Sequence, residues 1–395
     1  MDGKELSSKM RRDRIIVEVK TKESNELKNK KLKEWPKVAI IILNWNGWED
    51  TIECLESVFR ISYPNYQVIV IDNGSTNGSI EKIKAWAEGK QEVLTPEPTH
   101  PLYRLSHPLI KKSIPYICYS REEAEKGGNT KLEEKIKTEW QEGIKINSME
   151  LNPTTTCPLI FIQTEENLGF AEGNNVGIKH TLGKDNFEYV WLLNNDTVID
   201  SEVLFEMVKS IENFVKIGMV EPKIYSYNKP YRLWSAGKRN FPIIGVSERI
   251  GAEKIDNKIY NKQEEKDSLN GTALLVRKRL IEEIGNLDEK YFTYFEDSDW
   301  SLRAHRAQWK LLYNPKAKIW HKGSLGMRPI TSYYFTRNCL LFTKKYYWWF
   351  LPTVLVYSLR NSFFNHLLKR RWEYLKMCFQ GYIDFFRGNY GRKNK

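Results

Sequence analysis

Two apolar, β-branched runs set what this chain can fold into. KVAIIILNW (37–45) and YQVIVID (66–72) show no alternation of polar and apolar residues, so each has to be buried on both faces. Such strands belong in a parallel sheet with helices on both sides. A helical stripe of Ile52, Leu55, Val58 and Phe59 lies between the runs, and Ile80, Ile83, Trp86 and Ala87 form another after them. This βαβα order predicts an α/β sheet with its site at the carboxyl ends of the strands. The alternation resumes at PLIFIQTEENLGF (158–170). A helix is expected at 171–181, then the strand FEYVWLL (187–193), a helix at 201–214 and a strand at 218–225. A polar stretch covers 226–268. The strand GTALLV (271–276) and helices near 278–285 and 297–308 complete the body.

Residues 92–157 interrupt this order. Prolines at 96, 98, 101, 108 and 115 break any long helix, and 121–145 is charged, with Leu132, Ile136 and Trp140 as a thin helical stripe. The segment reads as an insertion: a lid, a partner surface or a loop.

The formal charge of +12 sits at the ends. Residues 1–35 carry +4 and residues 343–395 carry +9, while the 307 residues between carry −1. A nucleic-acid partner is therefore not expected, because the body offers no basic groove. Residues 1–35 read as a flexible charged tail. Residues 331–395 read as an amphipathic, membrane-associating region. Tyr346–Leu359 is uncharged but too short to span a bilayer, which takes ~20 residues. Beyond it, Phe364, Leu368, Trp372, Leu375, Phe379, Tyr382 and Phe386 recur at steps of three or four, with Lys369, Arg370, Arg371 and Lys376 off the stripe. That pattern predicts a basic amphipathic helix lying in a membrane interface. Five cysteines without CxxC spacing argue against a disulfide scaffold or zinc knuckle and fit a reducing compartment. The opening residues lack the apolar core of a signal peptide. Sequons at Asn73, Asn77, Asn195 and Asn270 include two inside the expected site, where a glycan would block it; this favours a cytoplasmic body.

Four polar clusters follow predicted strands: Asn44–Asn46, Asp72–Ser75, Asn167–Asn175 and Asn194–Asp196. Each alone is compatible with turn chemistry. Four at the carboxyl ends of one sheet point to a shared crevice. Asp196 follows the apolar run VWLL, where a carboxylate is costly unless solvated, paired or metal-bound. Mg2+ or Mn2+ takes one or two carboxylates plus phosphate oxygens. Asp200 or Ser201 is better placed than Asp196 to cap the next helix. Further on, Glu296, Asp297 and Asp299 cluster at a helix start among aromatic residues. They could complement the helix dipole. Aromatic surroundings also raise a carboxyl's pKa, which suits a general base. His321 follows another apolar run and is either structural or a metal ligand.

The segments ILNWNG, IDNGSTNGS, ENLGFAEGNN, LLNNDT, NGTALLVRK and YFEDSDWSLRAHRAQW, in this order, resemble the GT-A glycosyltransferases of family 2, and within them the rhamnosyltransferase-like group. The resemblance covers about 37–90 and 158–325. It implies a GT-A (Rossmann-like) α/β domain over 36–330, with a mixed, mostly parallel sheet flanked by helices. The 331–395 region would then be a C-terminal helical extension. By resemblance, Asp72 contacts the nucleotide base, and Asn44 and Asn46 border the nucleotide. Gly169, Asn174 and Asn175 line the donor pocket. Asn194-Asn195-Asp196 stands where the family has its Asp-x-Asp motif; with Asn in first place, Asp196 is the carboxylate ligand of a divalent metal (Mg2+ or Mn2+), completed by His321. Asp297 matches the catalytic base, with Glu296 and Asp299 around it and Arg303 one turn further.

The implied activity is transfer of a sugar, rhamnose from a dTDP donor at the family level, to a hydroxyl of a glycan or polyprenyl-linked acceptor with inversion. The implied place is the inner face of the cell membrane, peripherally bound. A sugar-nucleotide nucleotidyltransferase is the alternative, but it needs a glycine-rich basic loop after the first strand. That position holds NWNGWED, with no Lys or Arg before Arg60. A non-catalytic membrane-surface module with a degenerate site is disfavoured by the intact acidic cluster.

Overall fold

The computed structural model describes residues 35–94, 96–146, 159–323 and 328–393. Residues 1–34 of the expected tail (1–35) lie outside the described residues, as do residues 95 and 147–157 of the insertion (92–157).

The strands are β1 (Val38–Asn44), β2 (Tyr66–Asp72), β3 (Tyr116–Ser120), β4 (Leu159–Gln163), β5 (Tyr189–Asn194), β6 (Thr197–Ile199) and β7 (Ile217–Ser226). They continue with β8 (Leu233–Ser235), β9 (Lys238–Phe241), β10 (Val246–Arg249), β11 (Glu264–Glu265), β12 (Ala273–Arg277) and β13 (Lys310–His321). The central sheet runs β11-β13-β7-β12-β5-β1-β2-β4-β3, with β6 on β13 and β8 on β7. Neighbours from β3 through β5 are parallel. β12 runs antiparallel between β5 and β7, and β7 and β13 are again parallel. This is the mixed, mostly parallel sheet expected.

Burial explains why the two opening runs are central. Ile40, Ile41 and Ile42 of β1 and Ile69, Val70 and Ile71 of β2 are fully buried. Each such side chain contributes about 1.5–3 kcal/mol of burial. Helices α1 (Trp48–Val58), α2 (Ser79–Ala87), α3 (Gly169–Leu182), α4 (Val203–Glu212), α5 (Lys278–Ile284) and α6 (Glu296–Arg306) flank the sheet. On one side, Val176 and Ile178 of α3 share a core with Ile41, Ile71, Leu192 and Leu274. Register places Asn44 opposite Asp72 and Leu43 opposite Asn194, so the polar clusters meet at one sheet edge.

The insertion is not simply a lid or loop. It supplies β3, which pairs parallel to β4 at the end of the sheet, with Ile117 and Tyr119 facing inward. Ser120 then caps the helix Arg121–Glu125 in a capping box with Glu123. The prolines precede this strand and do not interrupt it. The stretch 226–268 likewise holds β8 to β11, pieces of two to four residues that leave little periodic signal.

The C-terminal region forms α7 (Pro329–Tyr346), α8 (Leu351–Ser358) and α9 (Trp372–Arg387). The single amphipathic helix expected over 364–386 is broken: the chain turns at 369–371, with Arg370 at φ 49°. The apolar stripe is divided too. Tyr382, Cys378 and Phe385 pack against Leu340 of α7 and Val354 of α8. Gly381 allows this approach, since a Cβ there would lie 2.8 Å from the Tyr333 carbonyl oxygen. Trp372, Phe379 and Phe386 stay exposed. Among the described residues no helix is long and apolar enough to cross a membrane.

Candidate functional site

At the edge of the sheet the asparagines organise one another. Asn44 Nδ2 donates to Asp72 Oδ1 at 2.8 Å, and Asn44 Oδ1 accepts from the Thr51 hydroxyl at 3.0 Å. Asp72 Oδ2 accepts from the Ser75 amide at 3.2 Å. Asn46, at φ 55°, accepts from the Thr76 amide at 2.8 Å through its side-chain oxygen. Asn195 donates to the Gly47 carbonyl and to Thr51. Thus Asn44, Asn46, Asp72 and Asn195 converge. Asn174 and Asn175 do not present their amides to this edge. Asn174 donates to the Phe170 carbonyl within α3, and Asn175 exchanges hydrogen bonds with the Leu287 backbone. Gly169, at φ 78°, sits where a Cβ would meet the Phe292 ring and carbonyl oxygen at 2.5 Å.

Beside this edge lies a cavity of about 730 Å3, lined by Asn194, Asp196, His321, Glu296, Asp297 and residues of the β9–β10 hairpin and of α7 and α8. Asp297 is held on several sides. Its Oδ2 accepts from Lys238 Nζ and from the Gly271 amide at 3.1 Å, and its Oδ1 from the Ser298 amide at 2.7 Å. Glu296 is buried, and its Oε2 has no partner among the described residues. Burial, reinforced by the adjacent Asp297 charge, pushes the Glu296 carboxyl up to about 8. The two neighbouring acids therefore divide their work: Glu296 is neutral near pH 7 while Asp297 sits in a field of donors. Behind the cavity wall, buried Glu221 accepts from both the backbone and side-chain amides of Asn270, and burial raises it to about 7.

Asp299 and Arg303 lie away from the cavity. Asp299 is fully buried and accepts from Tyr291, Arg303, Lys345 and Tyr346. Arg303 also donates to the Ile284, Gly285 and Asn286 carbonyls at the end of α5. Their placement anchors α6 rather than lining the space beside Asp297.

The segment leading into α6 is strained. Phe292, Tyr294 and Phe295 have φ of 62°, 67° and 76°. Each such non-glycine residue costs on the order of 1–3 kcal/mol and persists only where its surroundings impose it. Asn338 of α7 imposes it: its side-chain amide lies 2.8 to 2.9 Å from the carbonyls of Tyr291, Thr293 and Tyr294. Arg337, fully buried, donates to the Lys290 and Tyr291 carbonyls. The C-terminal extension thus holds the acidic helix start in place.

Asp196 and His321 come together where β5 ends and β13 ends, with Asp196 Oδ1 3.0 Å from His321 Nε2. Burial opposes ionisation of Asp196, but His321, the residue's own backbone amide and Lys322 together hold it below the usual carboxylate range. The other ring nitrogen of His321 is buried without a partner among the described residues, so no other group there claims the imidazole. Among the described residues no third His, Cys, Asp or Glu joins this pair. The set fits a cation that takes its remaining ligands from phosphate oxygens and water.

Several cavity residues carry no sequence signal strong enough to single them out. Lys238, Trp234 and Arg249 lie in the polar stretch with its very short strands. Arg337-Asn338, a polar pair inside an aromatic helix, is the sequence hint that α7 packs against the body.

A model described as glycosyl transferase family 2 matches residues 39–96, and one described as glycosyltransferase like family 2 matches residues 155–338. The low-salt glycan biosynthesis hexosyltransferase Agl10 of Haloferax volcanii is 26% identical over 37% of this chain and 46% of its own. A poly-beta-1,6-N-acetyl-D-glucosamine synthase of Staphylococcus epidermidis is 25% identical over 56% of this chain and 51% of its own. The N-acetylglucosaminyl-diphospho-decaprenol L-rhamnosyltransferase of Mycobacterium tuberculosis is 33% identical over 26% and 35%. The chain spans about half, or less, of the length of these curated relatives. A solved mannosyltransferase, PcManGT from Pyrobaculum calidifontis in complex with GDP-Man and Mn2+, aligns over 89% of this chain and 87% of that one at 14% identity, with a TM-score of 0.47. The two family models together match more than half of the sequence, the first holding the Asn44–Asp72 edge and the second both Asp196 and Asp297, and the chain belongs to glycosyltransferase family 2.

Proposed function

We propose that this protein transfers a sugar from a nucleotide-diphosphate-sugar donor to a hydroxyl of a glycan or lipid-linked acceptor, with inversion at the anomeric carbon. The observation that carries this reading is the placement of Asp297 and the Asp196–His321 pair in one cavity beside the Asn44–Asp72 edge. The nucleotide lies against Asn44, Asn46 and Asp72. Asp196 and His321 would hold a divalent cation, which when bound offsets the charge of the departing nucleoside diphosphate. Asp297 accepts the proton of the attacking hydroxyl, which takes the place of the weak 3.3 Å contact from the Ser298 hydroxyl. Lys238 and the Gly271 amide keep the base oriented, and neutral Glu296 adds no second charge beside it.

The exposed aromatics of the extension support peripheral attachment to a membrane, and the sequons within the site favour its cytoplasmic face. The chemistry is of the kind used in building cell-surface polysaccharides. L-Rhamnose from dTDP-rhamnose and N-acetylglucosamine from UDP-N-acetylglucosamine are the first donors to try, since two of the relatives carry those sugars in their names. The test is a donor panel with Mn2+, Mg2+ or EDTA on the full chain, read as nucleoside diphosphate released. Release from one donor, stimulated by metal and by a polyprenyl-linked acceptor, is expected. Release of pyrophosphate from a sugar phosphate and a nucleoside triphosphate would support a nucleotidyltransferase instead.

A further inference from the structure

The cavity contains a cation that the transfer chemistry leaves unused. Lys238 and Arg249 are direct cross-strand partners in the β9–β10 hairpin, so they project to the same face, and both line the cavity. Lys238 is engaged by Asp297. Arg249 makes no ion pair or hydrogen bond among the described residues; its guanidinium lies over the Trp234 ring, 3.9 Å from the centroid. Trp234 stands edge-on to His321, ring centroids 4.6 Å apart. An arginine held over an aromatic face keeps N–H groups available for a charge-assisted contact with a phosphate.

Part of the cavity wall is apolar: Ile244, Val246, Phe335 and Tyr357. Tyr357 belongs to α8, and its neighbours Val356 and Leu359 are exposed. A guanidinium without an ion pair or side-chain hydrogen bond among the described residues, with Glu253 as its electrostatic neighbour, and an apolar wall leading to an exposed apolar surface therefore share one cavity. The donor's diphosphate has its place at Asp196 and His321. Arg249 comes instead from the hairpin that orients the base, the side from which an acceptor must attack.

We propose that Arg249, seated on Trp234, binds the phosphate of an amphiphilic acceptor whose hydrocarbon chain runs along the apolar wall. Naming the ligand an acceptor rests on the sugar-transfer reading; the binding itself does not.

The test is calorimetric titration of the full chain with farnesyl diphosphate, inorganic pyrophosphate and farnesol, each with saturating dTDP and Mn2+ to fill the nucleotide side. Farnesyl diphosphate should bind more tightly than either fragment. Arg249→Gln should weaken it roughly ten- to hundredfold while leaving farnesol binding and the melting temperature unchanged. Arg249→Lys should recover only part, since an ammonium lacks the planar fork. Unchanged farnesyl diphosphate binding in Arg249→Gln, or no binding to the wild type, overturns the proposal. So does equal affinity for pyrophosphate, which would mark a free-phosphate site, or a large gain in farnesyl diphosphate affinity when dTDP is left out, which would assign Arg249 to the donor. A full set of expected affinities from a protein that releases nucleoside diphosphate from no donor would sink the transfer reading alone.

Discussion

Lys345 Nζ lies 2.7 Å from Asp299 Oδ1, so a cation of the C-terminal extension completes a fully buried carboxylate two residues beyond Asp297. Lys345 is itself partly exposed, and Arg303, Tyr291 and Tyr346 remain as partners when it is removed. Lys345→Met is therefore expected to destabilise by about 1–3 kcal/mol in urea unfolding, with sugar transfer falling alongside. Lys345→Arg should retain most of both. An unchanged unfolding midpoint for Lys345→Met would show that the contact does not hold α6.

Asp297→Asn should keep donor affinity and reduce transfer by roughly 10²–10⁴-fold, the usual contribution of a general base. The pair of measurements is donor Kd by titration and rate by nucleoside diphosphate release. A normal rate removes Asp297 from the role of base. A lost donor Kd would mean that it positions the nucleotide sugar instead.

Glu296 gives stability a definite pH dependence. Its carboxyl titrates near 8 in the folded chain against an ordinary value of 4.5, so between these values the folded state holds a proton that the unfolded state has lost. That contribution is present below about pH 4.5 and is lost as pH rises towards 8. Glu296→Gln removes the ionisation. Its stability relative to wild type should grow with pH across this window, on the order of 1 kcal/mol per unit. Thermal melts at pH 5, 6.5 and 8 decide it: a gap that stays constant means the carboxyl is not held neutral.

Gly169→Ala puts a Cβ at φ 78° and 2.5 Å from Phe292, whose carbonyl accepts from the Phe170 and Ala171 amides. A loss of more than about 1 kcal/mol is expected, because alanine tolerates neither the backbone angle nor the contact. Donor affinity should weaken with it. A variant as stable as wild type would contradict the close approach of α3 to the strained segment.

Trp348, Trp349, Trp372, Phe379 and Phe386 are between 54% and 69% exposed. Replacing all five by serine should leave the melting temperature near wild type and abolish co-sedimentation with anionic vesicles, since each aromatic contributes about 1.5–3 kcal/mol on burial. Raised salt should weaken wild-type binding through the basic residues beside them. Retained sedimentation of the fivefold variant in high salt would remove these aromatics as the attachment, and a wild type that does not sediment with vesicles would end the membrane reading. Truncation near residue 340 is a poorer test, because it also removes Lys345 and Tyr346 from Asp299.

The sheet was legible because its central strands are buried on both faces, and a run such as VAIIILN has no other stable home. The site edge followed from the same strands, since parallel register brings Asn44, Asp72 and Asn194 side by side. What stayed hidden has a common cause. β8 to β11 are too short to show a period, so nothing distinguishes Lys238 and Arg249 within the polar stretch 226–268. The aromatic stripe after residue 364 has the right spacing for one helix, but spacing carries no sign of the turn at Arg370 or of which half is covered by α7. Asp299 looked like part of an acidic trio. Only the packing of Tyr291, Lys345 and Tyr346 around it separates an anchoring carboxylate from the pair that faces the cavity.

The hold of Asn338 on the carbonyls of Tyr291, Thr293 and Tyr294 also sets an order of events during synthesis. A nascent chain that has emerged as far as β13 owns its Asn44–Asp72 edge, its Asp196–His321 pair and its acids, yet lacks the Asn338 contacts to the backbone that aims Asp297. Competence arrives with α7. If the neighbouring helices settle on a membrane as proposed, the same step that arms the enzyme also delivers it to the surface where a lipid-borne acceptor waits, and a partly made chain stays silent in solution.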